Sequence, residues 1–432
     1  MNSRVLIVGT VPYNKATTAR AFEAYFHGWD KTCLAQIFSN TKKPVKGHCQ
    51  TLYQITDQRM VLRRFHSGME TGVIFNDRDL EDAWTDTSLE VNSAAFEKMY
   101  RIGTQKSPLI YLIRRLVWKK KYWCTEKLNQ WLDDIRPDCV FLAFSDDFFI
   151  PQIALYVARR FQIPIVSCIG DDYYFNDRFS LSPLYHLYRS RYKALIRQVF
   201  SHGGSAIYIS DKIRDKYNSE FGMKGKTVYL TSELDRKAFA PVGEHPRFAY
   251  FGNIGLGRHR SLYEIGEALR QISPEYYLDI YSNQTLPEAK KLFDSCPAIR
   301  FRGAVSYDEV QKQIAENDVF IIVEGFADED INAVRYSLST KAADALASGT
   351  HILVYGSREA GVVSYMEDTG AAVVCTNKSE LTDCIRQLLT NPQDQKMRYD
   401  NALAVTKKNH NLNSSTAIFR TVVSEAIENY EK

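Results

Sequence analysis

The stretch Tyr336–Tyr355, YSLSTKAADALASGTHILVY, decides how the chain is read. It opens as a polar loop ending in Ser339 and Thr340, residue types that cap a helix by accepting a hydrogen bond from its first free amides. Lys341 to Ser348 then reads as a short helix stopped by Gly349, which suits the left-handed backbone that ends many helices. His351 to Tyr355 is a short apolar run of the kind buried in a parallel sheet. Together these describe a phosphate-holding corner of an α/β sheet, because helix-end amides and the helix dipole both favour an anion. Lys341 and Asp344 share one face of that helix. A lysine there suits phosphate and a carboxylate suits sugar hydroxyls; the alternative is a surface ion pair worth about 0.2–0.5 kcal/mol.

Outward from this stretch, strands and helices alternate. Before it come strands at Phe248–Phe251, Tyr277–Tyr281, Ile299–Arg302 and Val319–Val323, with helices between them. The first half opens with Arg4–Val8, closed by Gly9, and a helix over Ala19–Trp29. From Pro137 the alternation returns, with strands at Asp138–Phe144, Ile163–Ile169 and Thr227–Leu230. Residues 30–110 yield no order of elements. Thr231–Pro246 carries Pro241, Gly243 and Pro246 without periodicity and reads as a linker. The expected fold class is α/β, two Rossmann-like βα domains facing across a cleft, with a ligand at the strand C-termini.

Composition narrows the function. The 432 residues exceed one ordinary core, and 45% hydrophobic with 25% charged residues describes a folded soluble protein. A net charge of +4 over this length gives no case for nucleic acid. The eight cysteines form no CxxC and no zinc spacing, which favours reduced thiols in the cytoplasm. The N-terminal apolar run is shorter than the roughly 7–15 residues of a signal segment, and no run approaches the ~20 residues of a membrane span. Ser107–Trp123, SPLIYLIRRLVWKKKYW, interleaves apolar and basic residues. It reads either as a surface helix for anionic headgroups or as a core-facing helix with a solvated basic edge.

Phe251–Arg260, FGNIGLGRHR, follows a strand and precedes a helix. Its glycines run in the reverse of the dinucleotide fingerprint, so NAD is excluded. A glycine turn ending in Arg258 suits a diphosphate, since small residues admit the backbone and the guanidinium neutralises charge. Its plain alternative is a mobile turn with solvated arginines. Asp146–Asp147 and Asp171–Asp172 each follow a strand; such pairs act as acid and base or bind metal, but more commonly they hold turns. The second pair, beside Gly170 and Tyr173, has the better case for lining a cleft. No HExxH or HxH occurs, so no metal is expected; His351 reads as a core residue, and His259 lies in the glycine turn.

In this order the features resemble the retaining glycosyltransferases of the GT-B fold, particularly the family-4 type. Phe251-Gly252-Asn253 with Arg258, the turn Phe301–Ser306, and the Ser339–Gly349 segment carry the resemblance. It implies an acceptor domain over 1–240, a donor domain over 241–414, and a helix over 415–432 crossing back to the first. It implies transfer of a sugar from a UDP- or GDP-linked donor to an acceptor hydroxyl with retention, in cell-surface polysaccharide or glycoconjugate synthesis, without metal or resident cofactor. Arg258, Lys341 and Asp172 are then expected in catalysis. Gly252, Asn253, Val305, Ser339, Thr340, Lys341 and Asp344 are expected around the donor. Gly9, Thr10, Arg20, Asp171 and Tyr173 are expected on the acceptor side.

The matches are partial: Arg258 replaces a lysine, Asn253 an arginine, Asp344 a glutamate, and Tyr336 stands at the spacing of the family's first motif glutamate. Glu324-Gly-Phe326 looks like that family's E-G-F signature but lies too far before Asp344 and is read as a chance match, while Glu324 at a strand end stays a candidate to face the cleft, with Glu324 or Tyr336 in the place of the missing glutamate. A lipid-linked acceptor would give Ser107–Trp123 a purpose, as peripheral contact at the inner face of the plasma membrane. Two rivals stand beside this reading: a GT-B nucleotide-sugar epimerase using Asp171, Asp172 and His259, and a non-catalytic nucleotide-sugar-binding partner of another transferase.

Overall fold

Apolar runs without polar alternation make strands that are buried on both faces, and both halves of the chain are built on such strands. The structure, a computed structural model, describes residues 3–14, 19–66, 68–82, 107–177 and 179–430; of Ala19 and Arg20 it describes the backbone only. Contacts divide the chain into two units. One is Met1–Tyr208 with Arg214–Thr227 and Thr416–Lys432; the other is Ile209–Ile213 with Val228–Ser415.

The first unit carries an eight-stranded sheet in the order β4-β3-β2-β1-β5-β6-β7-β8. Its strands are β1 (Val5–Val8), β2 (Leu34–Phe38), β3 (Thr51–Ile55), β4 (Gly72–Asn76), β5 (Cys139–Ala143), β6 (Ile165–Ile169), β7 (Gly204–Tyr208) and β8 (Lys226–Thr227). All pair in parallel except β4 with β3. Its helices include α1 (Ala19–Phe26), α2 (Asp57–Phe65), α3 (Pro108–Val117), α4 (Phe149–Phe161) and α5 (Pro183–His202). Ser107–Trp123 is therefore not one helix. The chain breaks after Val117, buries Trp118, and makes one further turn over Lys120–Trp123.

The second unit has a six-stranded, wholly parallel sheet ordered β11-β10-β9-β12-β13-β14. These strands are β9 (Phe248–Phe251), β10 (Leu278–Tyr281), β11 (Ile299–Gly303), β12 (Val319–Val323), β13 (His351–Tyr355) and β14 (Val373–Cys375). In chain order this is the doubly wound 3-2-1-4-5-6 arrangement, whose ligand crevice opens where the order reverses, between β9 and β12. The helices that matter to that crevice are α6 (Arg258–Ile272), α7 (Asp328–Val334) and α8 (Lys341–Ser348). A further helix, α9 (Pro392–Asn409), has no counterpart in the sequence reading; the Asn391 side chain caps it by accepting from the amides of Gln393 and Asp394.

The stretch that read as a linker packs on this second unit. Arg236 donates to the carbonyls of Leu346 at 2.6 Å and Tyr399 at 2.7 Å, and the Lys237 amide donates to Ser348 at 2.9 Å. Gly349 takes the left-handed conformation, with φ 77°, and a Cβ there would meet the Lys237 carbonyl at 2.5 Å. The reading of Gly349 as a helix stop thus has both a backbone and a steric cause.

The last helix, α10 (Leu412–Tyr430), contributes Thr416 onward to the first unit. Phe419 sits among Tyr25, Phe26, Trp29 and Phe141, with ring centroids 5.5, 5.1, 5.9 and 5.5 Å away. Arg420 donates to the Gly28 carbonyl at 2.6 Å, and Glu425 pairs with Lys226. Replacing Phe419→Ala empties the centre of that aromatic cluster and is expected to cost about 3–5 kcal/mol. The readout is the urea midpoint followed by fluorescence; an unchanged midpoint would show that the helix adds nothing to the first unit.

Candidate functional site

At the reversal of the second sheet, β9 ends in Gly252 and β12 runs into Glu324. The Glu324 carboxylate is 2% exposed and pairs with Arg258, from the first turn of α6, at 2.8 Å from Nε and 2.7 Å from Nη2. The residue is also fixed through its backbone, since its amide donates to the Tyr355 carbonyl and its own carbonyl accepts from the Ser261 hydroxyl. Burial pushes the Glu324 carboxyl up, while Arg258 and then Lys341 pull it back. Lys341, at the start of α8, lies with its amine over Gly252, where an added Cβ would stand 2.4 Å from Cε and 3.1 Å from Nζ. Gly252 has φ 130°, so a side chain there is excluded by backbone as well as by the lysine. The lysine's pKa is lowered to about 8, chiefly by burial and next by the neighbouring Arg258. Two cations and one buried carboxylate therefore meet at the crevice.

Side chains hold two amides of the glycine turn. The Asn253 side chain accepts from the Gly255 amide at 2.6 Å, and Gln284 accepts from the amides of Ile254 and Gly255, each at 3.2 Å. Thr340 is the N-cap residue of α8, yet neither it nor Ser339 caps through its side chain; Thr340 has helical dihedrals, and the Ala342 amide donates to the Ser339 carbonyl. The expectation of a side-chain cap is thus corrected, because the loop enters already wound. Asp344 is buried and its Oδ1 accepts from the Ser232 hydroxyl at 2.7 Å, so this carboxylate is engaged with the chain before β9. Val305, just after β11, is 36% exposed, and Tyr336 lends its carbonyl to the Ser210 hydroxyl.

In the first unit, Gly9 follows β1 with φ 99°, where a Cβ would meet the Ala143 carbonyl at 2.5 Å, and Thr10 accepts from the buried Gln36 amide. Asp172, expected in catalysis, is buried and held by three donors. Its Oδ1 accepts from the amides of Tyr174 and Phe175 and from the Tyr217 hydroxyl, at 3.1, 2.8 and 2.8 Å. It is a turn-holding residue, raised in pKa by burial against those bonds. Asp171 beside it is exposed, and Tyr173 is half-buried with its phenol pushed up by burial and by Asp171. The Arg20 side chain lies outside the described residues. Asp146 and Asp147 are bound to α3, through the Tyr111 hydroxyl and Arg114 respectively. His259 is buried, with Nδ1 3.2 Å from the Ile254 carbonyl. Among the described residues, no group of three or more His, Cys, Asp or Glu side chains is arranged to hold a metal ion.

The structure therefore brings together Gly252, Arg258 and Lys341 from the sequence reading and adds Glu324, Gln284 and Ser232. Glu324 carried a signal, since its E-G-F motif was visible. Gln284 and Ser232 carried none, because each acts from a separate loop.

No family model matches the chain, and no curated protein matches it in sequence. Solved structures do resemble it. HepE of Anabaena, solved with UDP, matches 98% of this chain and 100% of its own at TM-score 0.59 and 10% identity. The trehalose-6-phosphate protein from E. coli, bound with UDP-2-fluoro glucose, matches 98% and 99% at TM-score 0.59 and 10% identity. A glycosyltransferase from Rickettsia africae ESF-5 matches 100% of both chains at TM-score 0.54 and 11% identity. The likeness is one of fold: two Rossmann-like βα units in one chain, the GT-B fold.

Glu324→Ala would leave the Arg258 guanidinium buried without a partner and is expected to destabilise the second unit by about 3–5 kcal/mol. Glu324→Gln, which retains an acceptor, should cost distinctly less. Equal midpoints for the two variants in denaturant would remove charge compensation as the reason for the pair.

Proposed function

We propose that the chain is a retaining glycosyltransferase that moves a sugar from a UDP- or GDP-linked donor to an acceptor hydroxyl, without a metal ion. The observation that carries this is the convergence of Arg258 and Lys341 on the Gly252 turn at the sheet's reversal point. Its fold is shared with proteins solved with UDP and with a UDP-sugar analogue, which supports a nucleotide sugar as the ligand. In this reading Lys341 and Arg258 meet the charge that develops on the departing diphosphate, assisted by the N-terminus of α8. Glu324 keeps Arg258 extended toward it. Retention needs no protein nucleophile if the acceptor is held on the face from which the diphosphate leaves, so positioning supplies much of the rate. Gly9, Thr10, Asp171 and Tyr173 are the residues proposed to face the acceptor. We place the reaction in polysaccharide or glycoconjugate synthesis in the cytoplasm, with peripheral membrane contact through 107–123. The epimerase alternative loses support, because Asp172 and His259 are both committed to backbone groups.

The direct test is a thermal-shift panel of UDP, GDP and their sugars. The melting temperature should rise with one nucleoside diphosphate, and Lys341→Ala should abolish that rise; no shift with any of them would end the transferase reading. Donor hydrolysis with retention in the presence of EDTA separates it from an epimerase and from a binding protein. The lysine also fixes a pH dependence. With a free-state pKa of about 8, it is mostly protonated at pH 7 and mostly neutral at pH 9. Diphosphate affinity should therefore fall about tenfold over that interval. Calorimetry on the wild type and on Lys341→Met decides: a fall that persists in the variant assigns the dependence elsewhere.

A further inference from the structure

The first unit presents a second basic site. On the inner face of α3, Arg114 donates to Asp57 at 3.1 and 2.8 Å and pairs with Asp147, while the Trp118 indole donates to Asp57 at 2.6 Å and the Tyr111 hydroxyl to Asp146 at 2.7 Å. These bonds fix the rotation of the helix and turn its other face outward. There Leu109, Ile113 and Leu116 are 52, 48 and 51% exposed, and none of the residues of α3 is buried. The segment before α5 and its first turns add Phe179, Leu181, Leu184 and Leu187, all exposed. Leu116 and Leu187 share one groove wall, and the exposed apolar side chains on α3 and on the start of α5 exceed the scattered few that need no explanation.

Between α3 and α5 runs a groove of about 540 Å³, lined by Arg115, Lys119, Lys120 and Arg191 together with Leu116 and Leu187, with no acidic residue among the described ones that line it. Arg115 reaches into the protein with its guanidinium 4.3 Å from the Phe148 ring centroid. Its Nη1 is buried and has no hydrogen-bond partner. Burial and the nearby Arg191 both press its pKa down. Two guanidiniums are thus held close, one partly desolvated, with no carboxylate paired to either among the described residues. Four basic side chains along one groove favour an anion there, which the guanidiniums and amines would meet with charge-assisted hydrogen bonds. The continuity of that basic groove with an apolar rim selects among anions, because a nucleic acid or an acidic peptide would leave the rim in water.

We propose that this groove receives the headgroup phosphate of an anionic phospholipid, with Arg115 and Arg191 as its ligands and Leu109, Ile113, Leu116 and Leu184 entering the acyl boundary. The proposal rests on the reading of 107–123 as a membrane contact and gives that contact a defined lipid chemistry.

The test uses the full chain with vesicles of phosphatidylcholine alone and of phosphatidylcholine mixed with phosphatidylglycerol. Co-sedimentation is expected with the mixture and not with phosphatidylcholine alone. Arg115→Gln with Arg191→Gln should weaken binding about 30-fold. The control pair Lys407→Gln with Lys408→Gln, at the end of α9, should leave it unchanged. Ile113→Asp should abolish binding without affecting the Arg115–Arg191 pair. Equal loss in both double variants would reduce the effect to general charge and overturn the groove. Binding that survives the Arg115/Arg191 change would also overturn it, while leaving a looser membrane contact in place. If sn-glycerol 3-phosphate stabilises the protein but no vesicle binds, the ligand is a soluble phosphate and the lipid assignment fails. Nucleotide thermal shifts on the same samples report on the transferase reading alone, so the two failures are distinguishable.

Discussion

The buried carboxylate of Glu324 is the point on which the second unit's crevice depends. It follows β12, bonds through its amide to β13, accepts a hydroxyl from α6 through its carbonyl, and neutralises Arg258 through its side chain. One residue therefore couples two strands, one helix and the charge of the site. A buried ion pair is weak evidence for stability, since desolvation consumes most of its Coulomb energy. Its use here is geometric: it keeps an arginine extended at a strand end, where an unpaired one would turn to solvent.

Carboxylates of similar sequence context do different work in the two units. Asp172 is spent on two amides and a phenol, Asp146 and Asp147 on fastening α3, and Asp344 on Ser232. Each accepts from a donor that packing brings within reach. Only Glu324 compensates a cation at the sheet's reversal. Which acid acts in a site and which merely closes a turn is settled by the donors within reach, a property of the packed chain.

How much of this was legible in sequence differs by element. The strands Phe248–Phe251 and Val319–Val323 were plain, because burial on both faces leaves an unbroken apolar run. Strands β2 and β3 were not, since Gln36 and Gln54 interrupt them; both amides are buried and find carbonyl partners, which no periodicity reveals. Helix α9 hid for the opposite reason, being polar nearly all round with Gln395 and Ala402 as its buried residues. At the site, Gly252, Arg258 and Lys341 came from local chemistry: a turn, a cation, a helix start. The E-G-F match at Glu324 was set aside on spacing alone, because the chain between Glu324 and Asp344 includes α7 and returns to the same crevice.

The glycine turn has a consequence of its own. With Asn253 and Gln284 already accepting from the amides of Ile254 and Gly255, the backbone there is occupied before any ligand arrives. In the proposed function an anion there would be met by the side chains of Arg258 and Lys341 and by the N-terminus of α8. Recognition of that kind is long-ranged and sensitive to ionic strength, because mobile ions compete with it over a Debye length of about 8 Å at physiological salt. The turn keeps its form through those side-chain bonds, and in the proposed function salt in the surrounding solution would tune its hold on a diphosphate.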